Sequence, residues 1–384
     1  MLIYLSILSA AIVFATNWLA LIPWRRARTG HWTERARTYF PVRAAAGLNL
    51  WVLPAVLTMT TMLLWPHLSP HWALLFFGTS LGAITGTIPM DREVFPRIQL
   101  DELLRQVAVG WTIRFFLWFV FLGSIMLMPN EFNAQGAVLA IVVLALCILW
   151  SRDGWIRVGE QLHLFSPPPE RLQIIVRDTA AKMRIGFRDI LLMRVSTAQA
   201  LAVPGSRRLL FSERLLELLS DEEIAAISAH ELAHLTETKT DYFKRHITWL
   251  IFLPWIFFKP VLHAFGAPGF VVLLLTSAAT PLVYGRMSRK LEVRADQLAL
   301  ANELNSGTYA RALARLYEDS LVPAVQAKDR LTHPCLYDRL LAAGVTPDFP
   351  RPEPASSLAW HGHLFCIALG LLAMLLVLRL IEAP

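Results

Sequence analysis

The sequence predicts a mainly α, polytopic membrane protein of about eight transmembrane helices, with a polar α+β domain split in two by a transmembrane hairpin. Three observations carry this reading. Hydrophobic residues make up 55% of the 384 residues and mean hydropathy is +0.47, well above an ordinary soluble domain. Apolar stretches of about 20 residues, the length that crosses a bilayer, recur along the chain. The polar residues gather in two blocks, 152–245 and 285–358, with an apolar stretch between them.

The predicted spans are 2–23, 46–65, 72–89, 110–128, 135–151, 246–262, 267–284 and 359–380. No basic residue precedes the first apolar run and no small-residue cleavage pattern appears before Trp24. It therefore reads as a signal anchor and not a removable signal. The sixth span is short and interrupted by Pro254 and Pro260, so a re-entrant hairpin is the alternative there. The organisation that follows is a five-span region 1–151, a polar part 152–245, a hairpin 246–284, a second polar part 285–358 and a final span in 359–384.

Loop charges set the orientation. Arg25, Arg26, Arg28, Arg35, Arg37 and Arg43 crowd the first loop, and Arg92, Arg97 and Arg105 the third. The second loop, 66–71, and the fourth, 129–134, carry no Lys or Arg. By the positive-inside rule the amino terminus lies outside and both polar parts lie in the cytoplasm. The net charge of +7 is concentrated in these loops. Anionic lipid headgroups account for it, and no basic-aromatic motif points to nucleic acid. Cys147, Cys335 and Cys366 form no disulfide framework.

Within the first polar part, Ser166-Pro167-Pro168-Pro169 stops the fifth span, and Glu170 to Met183 has the pattern of an amphipathic helix. Three strand-like runs follow, Ile190–Val195, Gln199–Val203 and Leu209–Ser212, with Pro204-Gly205 turning the chain between the last two. Ser220 with Glu223 has capping-box spacing, and Asp221, Glu222 and Glu223 suit the positive end of a helix that continues into His230-Glu231-Leu232-Ala233-His234. The second polar part offers a helix carrying Glu292 and Asp296, another at Tyr309–Tyr317, and a segment from His333 to Leu341.

The H-E-x-x-H pentapeptide carries the chemistry. Histidines four apart project from one helical face, so His230 and His234 can bind one zinc ion while Glu231 acts on a water in the open coordination position. A catalytic zinc needs a third protein ligand. Glu292 and Asp296 are again four apart on one face; one carboxylate can bind metal while the other orients a ligand histidine.

Ser220-Asp221-Glu222-Glu223-Ile224 leading into HELAH, then an apolar hairpin, then Ser288-Arg289-Lys290-Leu291-Glu292-Val293-Arg294-Ala295-Asp296, resembles the integral-membrane zinc metalloprotease family. That family contains the CAAX prenyl endopeptidases and the bacterial heat-shock protease HtpX. Thr332-His333-Pro334 followed by Asp338-Arg339 matches its H-P-x-x-x-x-R, and the likeness covers about 171–341. The resemblance implies a cytoplasmic zincin-like α+β metalloprotease domain with one zinc per chain. It implies His230, His234 and Glu292 as ligands, Asp296 behind a ligand histidine, Glu231 as general base, and His333 or Arg339 as the second donor to the oxyanion. Gln199, Ala200, Leu201, Ala202 and Val203 are expected to form the edge strand that binds an extended substrate. The family enters this strand with an Asn-Ala pair, where this chain has Ala198-Gln199-Ala200.

The expected partners are protein or peptide substrates and membrane lipids. The expected location is a bacterial inner membrane with the site on the cytoplasmic side. Quality-control cleavage of membrane proteins and processing of lipidated CAAX tails both fit the substrate. The rival classes are a transporter with an incidental H-E-x-x-H, which would place ionisable residues deep in the spans, and an inactive scaffold, against which the intact Glu231 argues.

Overall fold

The computed structural model describes residues 1–238, 253–326, 334–355, 368–372 and 375. The chain divides into two compact units. One comprises Met1–Leu103, Leu321–Ala327 and Phe349–Pro384; the other comprises Leu104–Ser320 and Lys328–Asp348.

The first unit is built on three apolar helices, Leu2–Ala20, Trp32–Leu64 and Trp72–Val94. The first and third lie close together because small residues line the contact. A Cβ at Gly82 would stand 2.1 Å from the carbonyl oxygen of Ser6, so only glycine fits this approach. Two serines seal the contact, Ser6 Oγ donating to the Gly78 carbonyl and Ser9 Oγ to the Thr79 carbonyl, each at 2.8 Å. Small residues and short hydroxyl bonds hold helices together where lipid removes the hydrophobic drive. The middle helix begins at Trp32, well before the span start predicted at 46. His31 caps it by accepting the Thr33 amide, and Arg37 pairs with Glu34 at 2.8 Å. The second part of the arginine-rich segment predicted as loop, with Arg35, Arg37 and Arg43, is thus the polar start of a helix, and Pro41 and Pro54 lie inside it without ending it.

The second unit begins with helical segments. The predicted span 110–128 falls, but for its last residue, within Leu100–Leu127, and the next helix, Ala134–Leu149, continues through a π turn, Trp150–Gly154, into Trp155–Gln161. A small mixed sheet follows. Its strands are β1 (Phe165–Ser166), β2 (Asp189–Met193), β3 (Ala200–Val203) and β4 (Arg208–Ser212). Their order is β1-β2-β4-β3, with β2 parallel to β4 and the outer pairs antiparallel. The last three strands fall within a residue or two of the predicted runs. The two-residue β1, beside the proline stop, has no counterpart among them. Leu191, Met193, Val203 and Leu210 from the sheet pack with Trp150, Trp155 and Ile156 into one core.

The helix Glu170–Met183 lies where predicted. The hairpin differs. A 3-10 turn, Leu253–Phe257, leads into one helical run, Phe258–Asn302, broken at Gly266 (φ 56°, ψ −142°), a left-handed backbone that glycine tolerates. The candidate span here is Pro254–Thr276. It straddles the boundary between the sixth and seventh predicted spans, and the helix continues unbroken from Ala267 to the Glu292 segment. Residues 239–252, which hold the start of the predicted sixth span, lie outside the described residues, as does most of the predicted last span. Five described helices are long and apolar enough to cross a membrane: Leu2–Arg26, Trp32–Met62, Trp72–Val94, Ala134–Gln161 and Pro254–Thr276.

Candidate active site

The HELAH sequence forms the last turns of helix Asp221–His234. Its start is fixed by the predicted capping box: Ser220 Oγ accepts the Glu223 amide at 3.4 Å and Glu223 Oε2 accepts the Ser220 amide at 2.9 Å. Every residue from Ala226 to His234 is buried, as for a helix packed on several sides. It packs against Glu170–Met183, Phe258–Asn302, the helix Thr308–Asp319 and strand β3. Ala229 and Ala233 on this helix, and Ala295 and Ala299 on Phe258–Asn302, are all buried; small residues let the two backbones come close.

That approach brings His230, His234 and Glu292 together, with one ligand atom from each lying within 4.8 Å of the others. The two Nε2 atoms stand 3.2 Å apart. Glu292 Oε2 lies 3.4 Å from His230 Nε2, and Oε1 3.6 Å from His234 Nε2. Donors about 2.0–2.1 Å from a tetrahedral zinc stand roughly 3.4 Å from one another. The nitrogen and oxygen donor set and its spacing therefore fit that ion.

Each histidine is held from behind. His234 Nδ1 lies 3.0 Å from Glu237 Oε1. His230 Nδ1 lies 2.7 Å from the Tyr309 hydroxyl and 3.1 Å from Asp296 Oδ1. With Nδ1–H donated backwards, Nε2 presents its lone pair to the metal position. Asp296 is in turn gripped by Arg339, Nε to Oδ2 at 2.8 Å and Nη2 to Oδ1 at 2.6 Å. Burial works against ionising Asp296, and the hydrogen bond of His230 with the charge of Arg339 outweighs it, holding the carboxyl down at about 2. In the metal-free protein burial likewise opposes charge on His230, but hydrogen bonds to Asp296 and Glu292 raise its pKa to about 9.

Glu231, next to the first histidine, turns towards the sheet. Its Oε2 accepts the backbone amide of Ala202 at 2.7 Å. β3 is the edge strand, paired on one side with β4. Gln199 lies just before the strand and pairs with Ser212 through both its amide and its carbonyl. Backbone groups two residues apart point the same way. Ala200 and Ala202 therefore direct their amides and carbonyls away from β4, and Leu201 is 45% exposed.

His230, Glu231, His234, Glu292 and Asp296 thus lie in one cluster beside the predicted strand. His333 lies outside the described residues. Arg339 is buried at 8% exposure, and its guanidinium bonds Asp296 and Tyr309. It stands behind His230, where a forked carboxylate pair engages it. Sequence reasoning missed Glu237, three residues beyond His234 and past the end of the helix, and Tyr309, which no local spacing announces.

A buried His–His–Glu set that could hold a metal, with a carboxylate and a sheet edge beside it, has the groups a metallopeptidase site needs. Residues 168–344, a little under half of the chain, match the model for peptidase family M48, the family of the CAAX prenyl endopeptidases and HtpX-type membrane zinc metalloproteases. No curated protein matches the chain.

Proposed function

We propose that the chain is a membrane-embedded zinc endopeptidase in which Glu231 is the general base. The observation that carries this reading is the bond between Glu231 and the Ala202 amide, which joins the metal-binding helix to an open strand edge. An extended substrate segment adds to β3 through the outward amide of Ala200 and the outward carbonyls of Ala200 and Ala202, the Ala202 amide being held by Glu231. Glu231 takes a proton from the attacking water and returns it to the leaving amine. When bound, zinc supplies polarisation of the scissile carbonyl and a lowered pKa for water. His333 is assigned to the oxyanion on the strength of the resemblance. Arg339 is assigned to positioning, because its donors engage Asp296 and Tyr309.

Membrane-associated or misfolded membrane proteins are the proposed substrates, with lipidated tails as the alternative within the same reaction. The arginines clustered between the first and second and between the third and fourth predicted spans support a cytoplasmic site in a bacterial inner membrane. The test compares wild type with Glu231→Gln and His230→Ala for casein cleavage and for zinc by elemental analysis. Glu231→Gln is expected to keep zinc and lose about 10²–10⁴-fold in rate, whereas His230→Ala loses the metal. Wild-type cleavage by Glu231→Gln overturns the assignment. Proteomic comparison of cells carrying wild type and Glu231→Gln separates membrane-protein substrates from lipidated tails.

A further inference from the structure

Behind His230 the Tyr309 hydroxyl makes three contacts at once. It lies 2.7 Å from His230 Nδ1, 2.6 Å from Asp296 Oδ1 and 2.8 Å from Arg339 Nη2. A phenol has one proton to donate and two lone pairs to accept with. Arg339 can only donate and the ionised Asp296 can only accept, so the phenol proton goes to Asp296. One lone pair takes the Arg339 N–H, and the other remains for the His230 Nδ1–H. No other assignment satisfies the three partners while leaving Nε2 of His230 as an acceptor.

The tyrosine is itself anchored. Its ring stacks on the imidazole of His230 with centroids 5.7 Å apart and planes 20° apart. Its backbone amide donates to Glu303 Oε2 at 2.9 Å, while Oε1 of the same carboxylate accepts the Gly307 amide at 2.9 Å. The side chain is 1% exposed, which removes water as a competing partner.

We propose that Tyr309 is a positioning residue of the metal site. With Arg339 and Asp296 it forms a clamp that fixes the tautomer and rotation of His230, so that Nε2 faces the ion. The inference rests on the zinc peptidase reading and adds to it a residue that touches neither metal nor substrate. Arg339 gains a role in the same clamp. Its guanidinium neutralises Asp296 and donates to the phenol, which denies the phenol any acceptor role except towards His230.

The test is metal affinity. Purified full-length protein is titrated with zinc against a competing chelator, and separately loaded with Co²⁺ so that its visible d–d bands report the ligand geometry. Tyr309→Phe, which removes the hydroxyl and keeps the ring, is expected to raise the zinc dissociation constant about 10–100-fold, the usual effect of losing such an outer partner. It should also shift the Co²⁺ bands. In a double-mutant cycle with Asp296→Asn the two losses should be far from additive, because both act through His230. A purely structural tyrosine would lower the melting temperature of the metal-free protein and leave the dissociation constant and the bands unchanged; that result overturns the proposal. Additive losses overturn it too. Should Tyr309→Phe fail to accumulate, Arg339→Lys removes the fork that holds the phenol and is judged by the same two measurements. Wild-type protein that binds neither ion would instead overturn the metalloprotease reading beneath it.

Discussion

His230 is drawn in two directions at residue scale. Its Nε2 must be unprotonated to bind a metal, yet Asp296 and Glu292 stabilise its charged form in the metal-free protein and raise its pKa to about 9. A free histidine titrates near 6.5. Stability from this shift is therefore complete below about 6.5 and is lost as pH rises through about 9. Zinc binding near pH 7 must displace that proton. Calorimetric titration in buffers of different ionisation enthalpy should give close to one proton released per zinc from this residue, with the release fading above about pH 9. A heat independent of buffer contradicts it. The residues nearest the metal are legible because helical spacing is local: His230, His234 and Glu231 lie within one pentapeptide, and Glu292 and Asp296 repeat the same interval. The same rule stops at His234, where the helix ends, and so does not mark Glu237 three residues on. It does not reach Tyr309, since the bond to His230 joins residues 79 apart in sequence and only packing creates it.

At the scale of elements, the capping box announces the start of the metal-binding helix, and alternation with turn residues announces β2, β3 and β4. Nothing in the sequence announces that the amide of β3 holds Glu231, and its place at the edge follows from strand order. Strand order depends on which hydrophobic faces meet. The pairing of β2 with β4 places a parallel strand between residues of the hairpin β3–β4 and the remote β1. Ala202→Pro tests the amide directly. It removes the N–H that Glu231 accepts, a bond to a charged group of the kind typically worth about 1.5–3 kcal/mol. kcat/KM should fall about 10–100-fold while zinc content holds. An unchanged kcat/KM would mean that Glu231 does not need the strand. The arginine-rich helix from Trp32 shows the opposite failure. Charge there reads as loop, although Glu34 and Arg37 three apart stabilise a helix as well as they solvate a loop.

For the whole molecule, the membrane class is legible from composition alone, while the extent of each helix is not. Apolar content marks the part of a helix that prefers lipid and is blind to its polar continuation, so Trp32–Leu64 and Phe258–Asn302 both outrun their predicted spans. Topology is tested with reporter fusions. Those after Arg43, Arg105 and Leu218 should read cytoplasmic, and those after Ser69 and Asn133 should read external. A reversed pattern would move the proposed active site to the other face. Phe258–Asn302 has a mechanical consequence. From Thr276, where its candidate membrane stretch ends, the helix runs on to Glu292, a rod of about 24 Å at 1.5 Å per residue. The two histidines ride on a different helix. Metal–ligand distances tolerate only about 0.2 Å, so sliding the rod by the rise of a single residue would take the carboxylate out of reach. A metal held by the proposed site would be hinged on one side to a helix of membrane-crossing length, and the bilayer would become part of its scaffolding.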